Sequence, residues 1–115
     1  MGLDTSHGAW HGPYSQFNRF RIAVGRACGV RYPEDPFSDG MIEFPQGFGN
    51  TYPGLYEFFC HSDCDGEIDP KTCVLLGDEL LRLTPYVEPE WRASVDRFAL
   101  GCLEAAKADE PLEFG

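Results

Sequence analysis

The sequence predicts a mainly α-helical single domain with four helices and one long aromatic loop rich in proline and glycine. Three observations lead to this prediction. The chain has 115 residues, which suits one domain built around one core. Apolar residues recur at three-to-four spacing in several segments, as on the buried face of a helix. Prolines and glycines stand where such segments begin and end.

The first half of the chain is predicted to contain one helix between two irregular segments. Residues 1–12 are rich in glycine, which predicts an ordered N-terminal turn segment rather than a helix. Pro13 suits the start of a helix and Gly29 its end. The buried face of this helix is predicted to carry Phe17, Phe20, Val24 and Cys28. Residues 30–53 have no helical period and form the predicted long loop, which packs on the body or lines a pocket.

The second half is predicted to be a helix–loop–helix over residues 54–83, followed by a final helix. Its first helix ends near Cys60. Asp69 and Pro70 form a strong start signal for the next helix, which stops at Thr84. Pro89 begins the last helix, and the tail is expected to tuck in through Leu112 and Phe114.

The charge is strongly acidic but unevenly distributed. The formal net charge is −10, which argues against a nucleic acid polymer or an anionic membrane surface as partner. Residues 1–32 carry four arginines against Asp4, whereas residues 33–115 carry five basic and eighteen acidic residues. The sequence therefore predicts a basic N-terminal helix on an acidic body.

The five cysteines do not indicate a disulfide framework, because their number is odd and no secretion signal precedes them. A reducing, cytoplasmic location is expected. Cys60, Cys64 and Cys73 could join His61 in a zinc site, but their spacing matches no common zinc pattern, and buried free thiols are the simpler interpretation.

The loop from His61 to Thr72 resembles the calcium loop of an EF-hand. Carboxylates or other expected residue types stand at its third, fifth, sixth, eighth and ninth positions, occupied by Asp63, Asp65, Gly66, Ile68 and Asp69. His61 replaces the usual aspartate at the first position, and Thr72 replaces the bidentate glutamate at the last. Weak or absent calcium binding is therefore expected. The alternative is a metal-free turn in which the aspartates cap backbone N–H groups.

The predicted metal ligands are His61, Asp63, Asp65 and Asp69, with calcium, zinc or manganese as the ion. An alternative site for zinc or manganese adds a second group, Asp4, His7 and His11. The string from His61 to Gly66 also resembles the metal motif of the DHH phosphoesterases, although those enzymes need a parallel sheet and a longer chain. This likeness leaves a small metal-dependent phosphoesterase as one alternative function.

The inventory for other catalysis is thin. The sequence has no Gly-x-Ser-x-Gly motif and no phosphate-binding glycine loop, so a non-catalytic protein is favoured. Arginines, by contrast, dominate the basic residues, and their planar forks suit phosphate. The predicted ligand-binding residues are those that combine arginines with nearby aromatics: Trp10, Tyr14, Arg19, Arg21 and Arg26.

Three segments together resemble a family of small phage and prophage proteins of unknown function. They are Met1–His7 with Trp10–Gly12, Phe17–Arg21, and His61–Ile68. The resemblance implies no activity, but it implies a setting inside a bacterial host cell, where accessory phage proteins often act against host defences.

This setting leads to the main functional hypothesis, which is sequestration of a small phosphorylated, nucleotide-derived immune signal without catalysis. The alternative partner is a host protein, which the acidic body would bind as an adaptor or inhibitor. The sequence leaves open whether the chain forms a homo-oligomer.

Overall fold

The computed structural model describes residues 2–34 and 41–115 of the protein. These residues form five helices: α1 (Tyr14–Cys28), α2 (Phe48–Thr51), α3 (Pro53–Cys60), α4 (Pro70–Leu83) and α5 (Pro89–Lys107). Two antiparallel two-stranded sheets pair β1 (Gly2–Asp4) with β2 (His11–Pro13), and β3 (Glu67–Ile68) with β4 (Leu112–Glu113). The mainly helical character predicted from the sequence is confirmed.

The N-terminal segment, which the sequence predicts as an ordered turn segment, is a β-hairpin. Its strands pair Gly2 with Pro13 and Asp4 with His11, and a 3₁₀ turn over Ser6–Gly8 connects them. The backbones approach so closely that a Cβ atom on Gly2 would lie 2.8 Å from the carbonyl oxygen of Gly12. Glycine at this position therefore permits the pairing.

Helix α1 has the bounds that the sequence predicts. Gly29 follows it with a φ of 80°, in the left-handed region that glycine adopts without strain, and its N–H donates to the carbonyl of Gly25. Phe17, Phe20 and Val24 are fully buried on its inner face. Local start and stop signals were sufficient to define this helix.

The long-loop prediction is only partly correct. Residues 48–51 form the short helix α2, and α3 begins at Pro53, so the helix count exceeds the predicted four. A single turn is too short to show an amphipathic period, and α2 depends on the burial of Phe48 among other aromatic rings. Residues 35–40 of the predicted loop lie outside the described residues.

Helix α4 holds the start of α3 through a side chain that is distant in sequence. The carboxylate of Glu79 accepts hydrogen bonds from the N–H groups of Gly54 (3.1 Å) and Leu55 (2.8 Å). These are first-turn N–H groups that have no partner within a helix. Burial raises the pKa of the Glu79 carboxyl. A side chain of α4 thus caps the amino end of α3 where the two helices meet.

The connection from α3 to α4 is fixed by the tail of the chain. Strand β3 pairs with β4 in the register Glu67 to Glu113 and Ile68 to Leu112, and Phe114 donates its N–H to the carbonyl of Gly66 (2.8 Å). Ile68, Leu112 and Phe114 are buried, as expected of a tail that tucks in. Each of the loop's two strand residues therefore has its partner at the far end of the chain.

Asp69 is the N-cap of α4, as the sequence predicts. Its Oδ1 accepts the N–H of Thr72 at 2.7 Å, and this bond is the main reason that the pKa of Asp69 is lowered. A lowered pKa in the folded state stabilises the protein above the pKa of the unfolded chain, and this contribution is lost as the pH falls through the folded value.

Replacing this cap should weaken the fold in a pH-dependent way. We expect Asp69→Ala to lower the free energy of unfolding by about 1 kcal/mol near neutral pH, because the Thr72 N–H loses its acceptor. The difference from the parent protein should shrink below about pH 4, as the carboxylate becomes protonated. Urea unfolding at pH 7 and pH 3 measures both values. Asp65→Ala is the matched control; an equal loss in it would contradict the capping role.

The core is dominated by aromatic rings. The core phenylalanines Phe17, Phe20, Phe58 and Phe98 have no exposed surface, and their ring centroids lie 5.3–6.1 Å apart in tilted or edge-on pairs.

Among residues 2–34 and 41–115, no helix has the length and apolar character needed to cross a membrane.

Candidate functional site

A surface cleft of about 820 Å³ runs along the outer side of α1 and reaches the beginning of α5. This volume lies within the range typical of small-molecule sites. We call it the α1–α5 cleft. Its walls include residues from α1, α5 and three connecting segments: Tyr14, Ser15, Gln16, Asn18, Arg19, Ile22, Ala23, Arg26, Glu34, Asp63, Glu88, Glu90 and Trp91.

The amino end of α1 opens onto this cleft without a side-chain cap. Its N-cap residue, Pro13, makes no side-chain cap bond, and the first turn contains no acidic residue. Tyr14, Ser15 and Gln16, which form that turn, all line the cleft. The first N–H groups of a helix lack intrahelical partners and carry partial positive charge. This end of the cleft is therefore suited to an anion.

Arg19 lies one turn beyond this amino end and adds a full positive charge. It is exposed, and no carboxylate among the described residues forms an ion pair with it. Arg26 follows two turns later on the same wall, where its Nη1 lies 3.2 Å from Oε1 of Glu88. Within the described residues, the cleft thus has one arginine without an ion pair and one, Arg26, that shares a single guanidinium nitrogen with a carboxylate and is otherwise exposed.

Carboxylates outnumber arginines around the cleft. Glu34, Asp63, Glu88 and Glu90 line it together with the two arginines, so its formal charge is negative. Glu88 contacts Arg26 and lies toward the carboxyl end of α1, whereas the uncapped N–H groups and Arg19 lie toward the other end. The indole of Trp91, which is partly buried against Phe20, provides an apolar wall.

Trp10 was predicted to bind a ligand, but it lies in the core. Only 8% of its surface is exposed, and its ring stacks on Phe20 at 5.0 Å and meets the edge of Phe17 at 5.2 Å. Its Nε1 is buried without a hydrogen-bond partner among the described residues. Burial of its large apolar ring outweighs the polarity of that one group.

Arg21 was also predicted to bind a ligand, and it too is buried, with 2% of its surface exposed. Its guanidinium lies 4.5 Å from the ring centre of Phe17 and 5.5 Å from that of Phe58, while Nη1 donates to the Tyr32 hydroxyl at 2.8 Å. Nε and Nη2 have no partner among the described residues. Arg21 follows Phe17 by four residues, so both occupy the inner face of α1.

The predicted metal ligand His61 is engaged in other contacts. Its Nδ1 lies 2.8 Å from the carbonyl oxygen of Ser62, its Nε2 lies 3.1 Å from that of Glu67, and its ring lies 4.1 Å from the ring of Phe114. Both ring nitrogens therefore face hydrogen-bond acceptors. His61 ties the central loop to the tail.

The remaining predicted metal ligands are dispersed. Asp69 caps α4, and Asp63 lines the α1–α5 cleft. His11 Nδ1 lies 3.4 Å from Asp4 on the N-terminal hairpin, whereas His7 Nε2 lies 3.0 Å from Glu110 near the end of the chain. Over residues 2–34 and 41–115, no three His, Cys, Asp or Glu side chains come close enough together to hold a metal ion.

The structure thus brings together Tyr14, Arg19 and Arg26 of the predicted ligand-binding set, and it adds residues that the sequence did not indicate. The added residues come from distant parts of the chain, since Glu88 is 62 residues from Arg26 and Asp63 lies in the central loop. Only Pro13, as an N-cap that offers no side-chain acceptor, gave a local signal for the uncapped helix end.

No family model, curated protein or solved structure matches this chain, so the cleft itself is the basis for assigning a function.

Proposed function

We propose that the protein binds and sequesters a small phosphorylated, nucleotide-like ligand in the α1–α5 cleft, without catalysis. The observation that carries this proposal is the amino end of α1, where the N-cap Pro13 makes no side-chain bond, next to Arg19, which has no ion-pair partner among the described residues. Backbone N–H groups and a guanidinium together form a common kind of phosphate site, with charge-assisted hydrogen bonds from both.

The rest of the cleft complements the nonphosphate part of such a ligand. Trp91 and Tyr14 provide aromatic surface on which a base can stack. Glu88 and Glu90 provide acceptors for ribose hydroxyls or exocyclic amino groups. The excess of carboxylates disfavours a polyphosphate, because each added negative charge meets further repulsion. A monophosphate or phosphodiester is therefore the favoured class.

The biological setting of the proposal comes from the resemblance to small phage proteins. A nucleotide-derived signal that activates host immunity would be removed by binding to a protein of this kind. The cytoplasm of the host cell is the corresponding location. This setting stays a prediction, as does the resemblance itself.

Calorimetric titration tests the proposal with the four nucleoside 5′-monophosphates and the four matching nucleosides. At least one monophosphate should bind, and its nucleoside should bind much more weakly. Arg19→Glu should lower the affinity for the monophosphate about 10- to 100-fold, because one charge-assisted hydrogen bond is replaced by repulsion. Raising the salt concentration should weaken binding to the parent protein.

Arg97→Glu provides the matched control, since it makes the same charge change at an exposed position of α5 that does not line the cleft. Circular dichroism confirms that both variants are folded. If Arg19→Glu binds the monophosphate as tightly as the control variant does, the assignment of the phosphate to this cleft is wrong.

A second candidate function is recognition of a basic protein segment, which the excess of carboxylates in the cleft favours. The same variant separates the two functions, because the expected effects have opposite signs. Arg19→Glu makes the cleft more negative, so it should strengthen binding of a short lysine- and arginine-rich peptide. Such strengthening, with no binding of any monophosphate, would establish the second function over the first.

A further inference from the structure

A second cleft of about 470 Å³ adjoins the first and takes no part in the proposed function. We call it the lateral cleft. Ile22, Arg26 and Glu34 line both clefts, so the two share one wall on α1 and the segment that follows it. The other walls of the lateral cleft come from the residues after α1 and from the chain around Glu43. The shared residues make the two clefts neighbouring parts of one groove.

The lateral cleft repeats the chemistry of the α1–α5 cleft. Arg31 stands at its edge with 82% of its side chain exposed, and its Nη1 lies 2.9 Å from Oε2 of Glu43. The Tyr32 ring and Pro33 provide apolar surface, while Glu34 and Glu43 provide carboxylates. Each cleft therefore offers an arginine, an aromatic ring and acceptor oxygens, which are the groups that one nucleotide unit requires.

Arg26 lies between the two clefts. It is two turns, roughly 10 Å along the helix axis, from Arg19. The Nη1 atom of Arg26 is paired with Glu88, and 64% of the Arg26 side chain is exposed. A phosphate bound at the amino end of α1 is therefore distinct from one bound at Arg26. The groove thus has one position for a terminal phosphate and another, between the clefts, for a bridging phosphate.

We infer that the ligand of this groove is a dinucleotide. Its first nucleoside occupies the α1–α5 cleft, and its second nucleoside occupies the lateral cleft. The phosphodiester that bridges them lies at Arg26. This inference rests on the proposed function and specifies its ligand class. The bridging phosphodiester adds one negative charge, and it lies next to Arg26 and apart from the terminal phosphate, whereas a chain of phosphates would place its added charges side by side.

Titration with matched ligands tests the inference. The probes are the monophosphate that binds best and the 5′-phosphorylated dinucleotide of the same base. The parent protein should bind the dinucleotide about tenfold more tightly or better, which corresponds to one additional charge-assisted contact, from Arg31 to an acceptor of the second nucleoside. Arg31→Gln should remove most of this advantage while leaving the affinity for the monophosphate unchanged, because Arg31 lines only the lateral cleft.

Arg82→Gln is the matched control. Arg82 is similarly exposed, is similarly paired with a carboxylate, Asp78 at 3.1 Å, and lies on α4 outside both clefts. It should leave both affinities unchanged. Equal affinities of the parent protein for the monophosphate and the dinucleotide would overturn the inference and leave the proposed function intact. Failure of both ligands to bind would overturn the proposed function as well.

Discussion

Gly54→Ala is expected to destabilise the protein severely. A Cβ atom at position 54 would lie 2.4 Å from the backbone nitrogen of Leu76, 2.6 Å from its Cα, and 2.8 Å from the backbone carbon of Leu75. These atoms belong to helix α4, so a side-chain rotation cannot relieve the clash. The Glu79 cap at the same crossing would also be displaced, because it bonds to the N–H of Gly54.

We expect this substitution to lower the free energy of unfolding by about 3 kcal/mol or more, at the upper end of overpacking effects. Urea unfolding followed by circular dichroism measures the loss, and the midpoint of thermal unfolding should fall by about 10 °C or more. Gly49→Ala is the matched control, because its Cβ atom would meet only the Tyr56 ring at 3.4 Å. Similar stabilities for the two variants would show that α3 and α4 do not cross at Gly54.

The second large effect is expected at Arg21. The guanidinium of Arg21 lies against the ring faces of Phe17, Phe58 and Tyr32. In Arg21→Glu a carboxylate would replace this cation. The faces of aromatic rings are negative, and no cation among the described residues replaces the lost charge. We expect a loss of about 3–5 kcal/mol in the free energy of unfolding near neutral pH.

Arg21→Met tests whether charge or volume matters here. Methionine fills a similar space without a charge, so its effect should stay within about 1.5 kcal/mol of the parent protein. The Glu variant should regain stability as the pH falls, since burial raises the pKa of a carboxyl and protonation removes its charge. Denaturant unfolding from pH 7 to pH 4 would show this recovery. Equal losses in both variants, independent of pH, would contradict an electrostatic role for Arg21.

The parts of the fold that sequence reasoning predicted correctly are those fixed by neighbouring residues. Pro13 and Gly29 delimit α1, and Asp69 with Pro70 begins α4, because caps and breakers act within one turn. The helix α2 was missed, since its four residues are held by aromatic packing rather than by a local signal. The Glu79 cap on α3 was also missed, because the N–H groups that it accepts from are 24 and 25 residues away in the sequence.

The candidate site was only half predictable. Residue type grouped Arg19, Arg21 and Arg26 as ligand-binding residues, but their spacing places Arg19 and Arg26 on one face of α1 and Arg21 on another. The four-residue interval from Phe17 to Arg21 would have placed Arg21 on the buried face, and this signal was present in the sequence. The carboxylates of the cleft were not predictable, because Glu34, Asp63 and Glu88 reach it only through tertiary packing.

The pairing of the tail with the start of the chain bears on how the protein is made in the cell. Glu113 donates its N–H to the Ser6 hydroxyl across 107 residues, and Phe114 forms a β-bridge with Thr5. The N-terminal hairpin leaves the ribosome well before the tail does, and it gains these partners only after residue 114 has emerged. Closing so long a loop is slow compared with forming helices. The contacts between the hairpin and the tail should therefore form late in folding, after residue 114 has been translated.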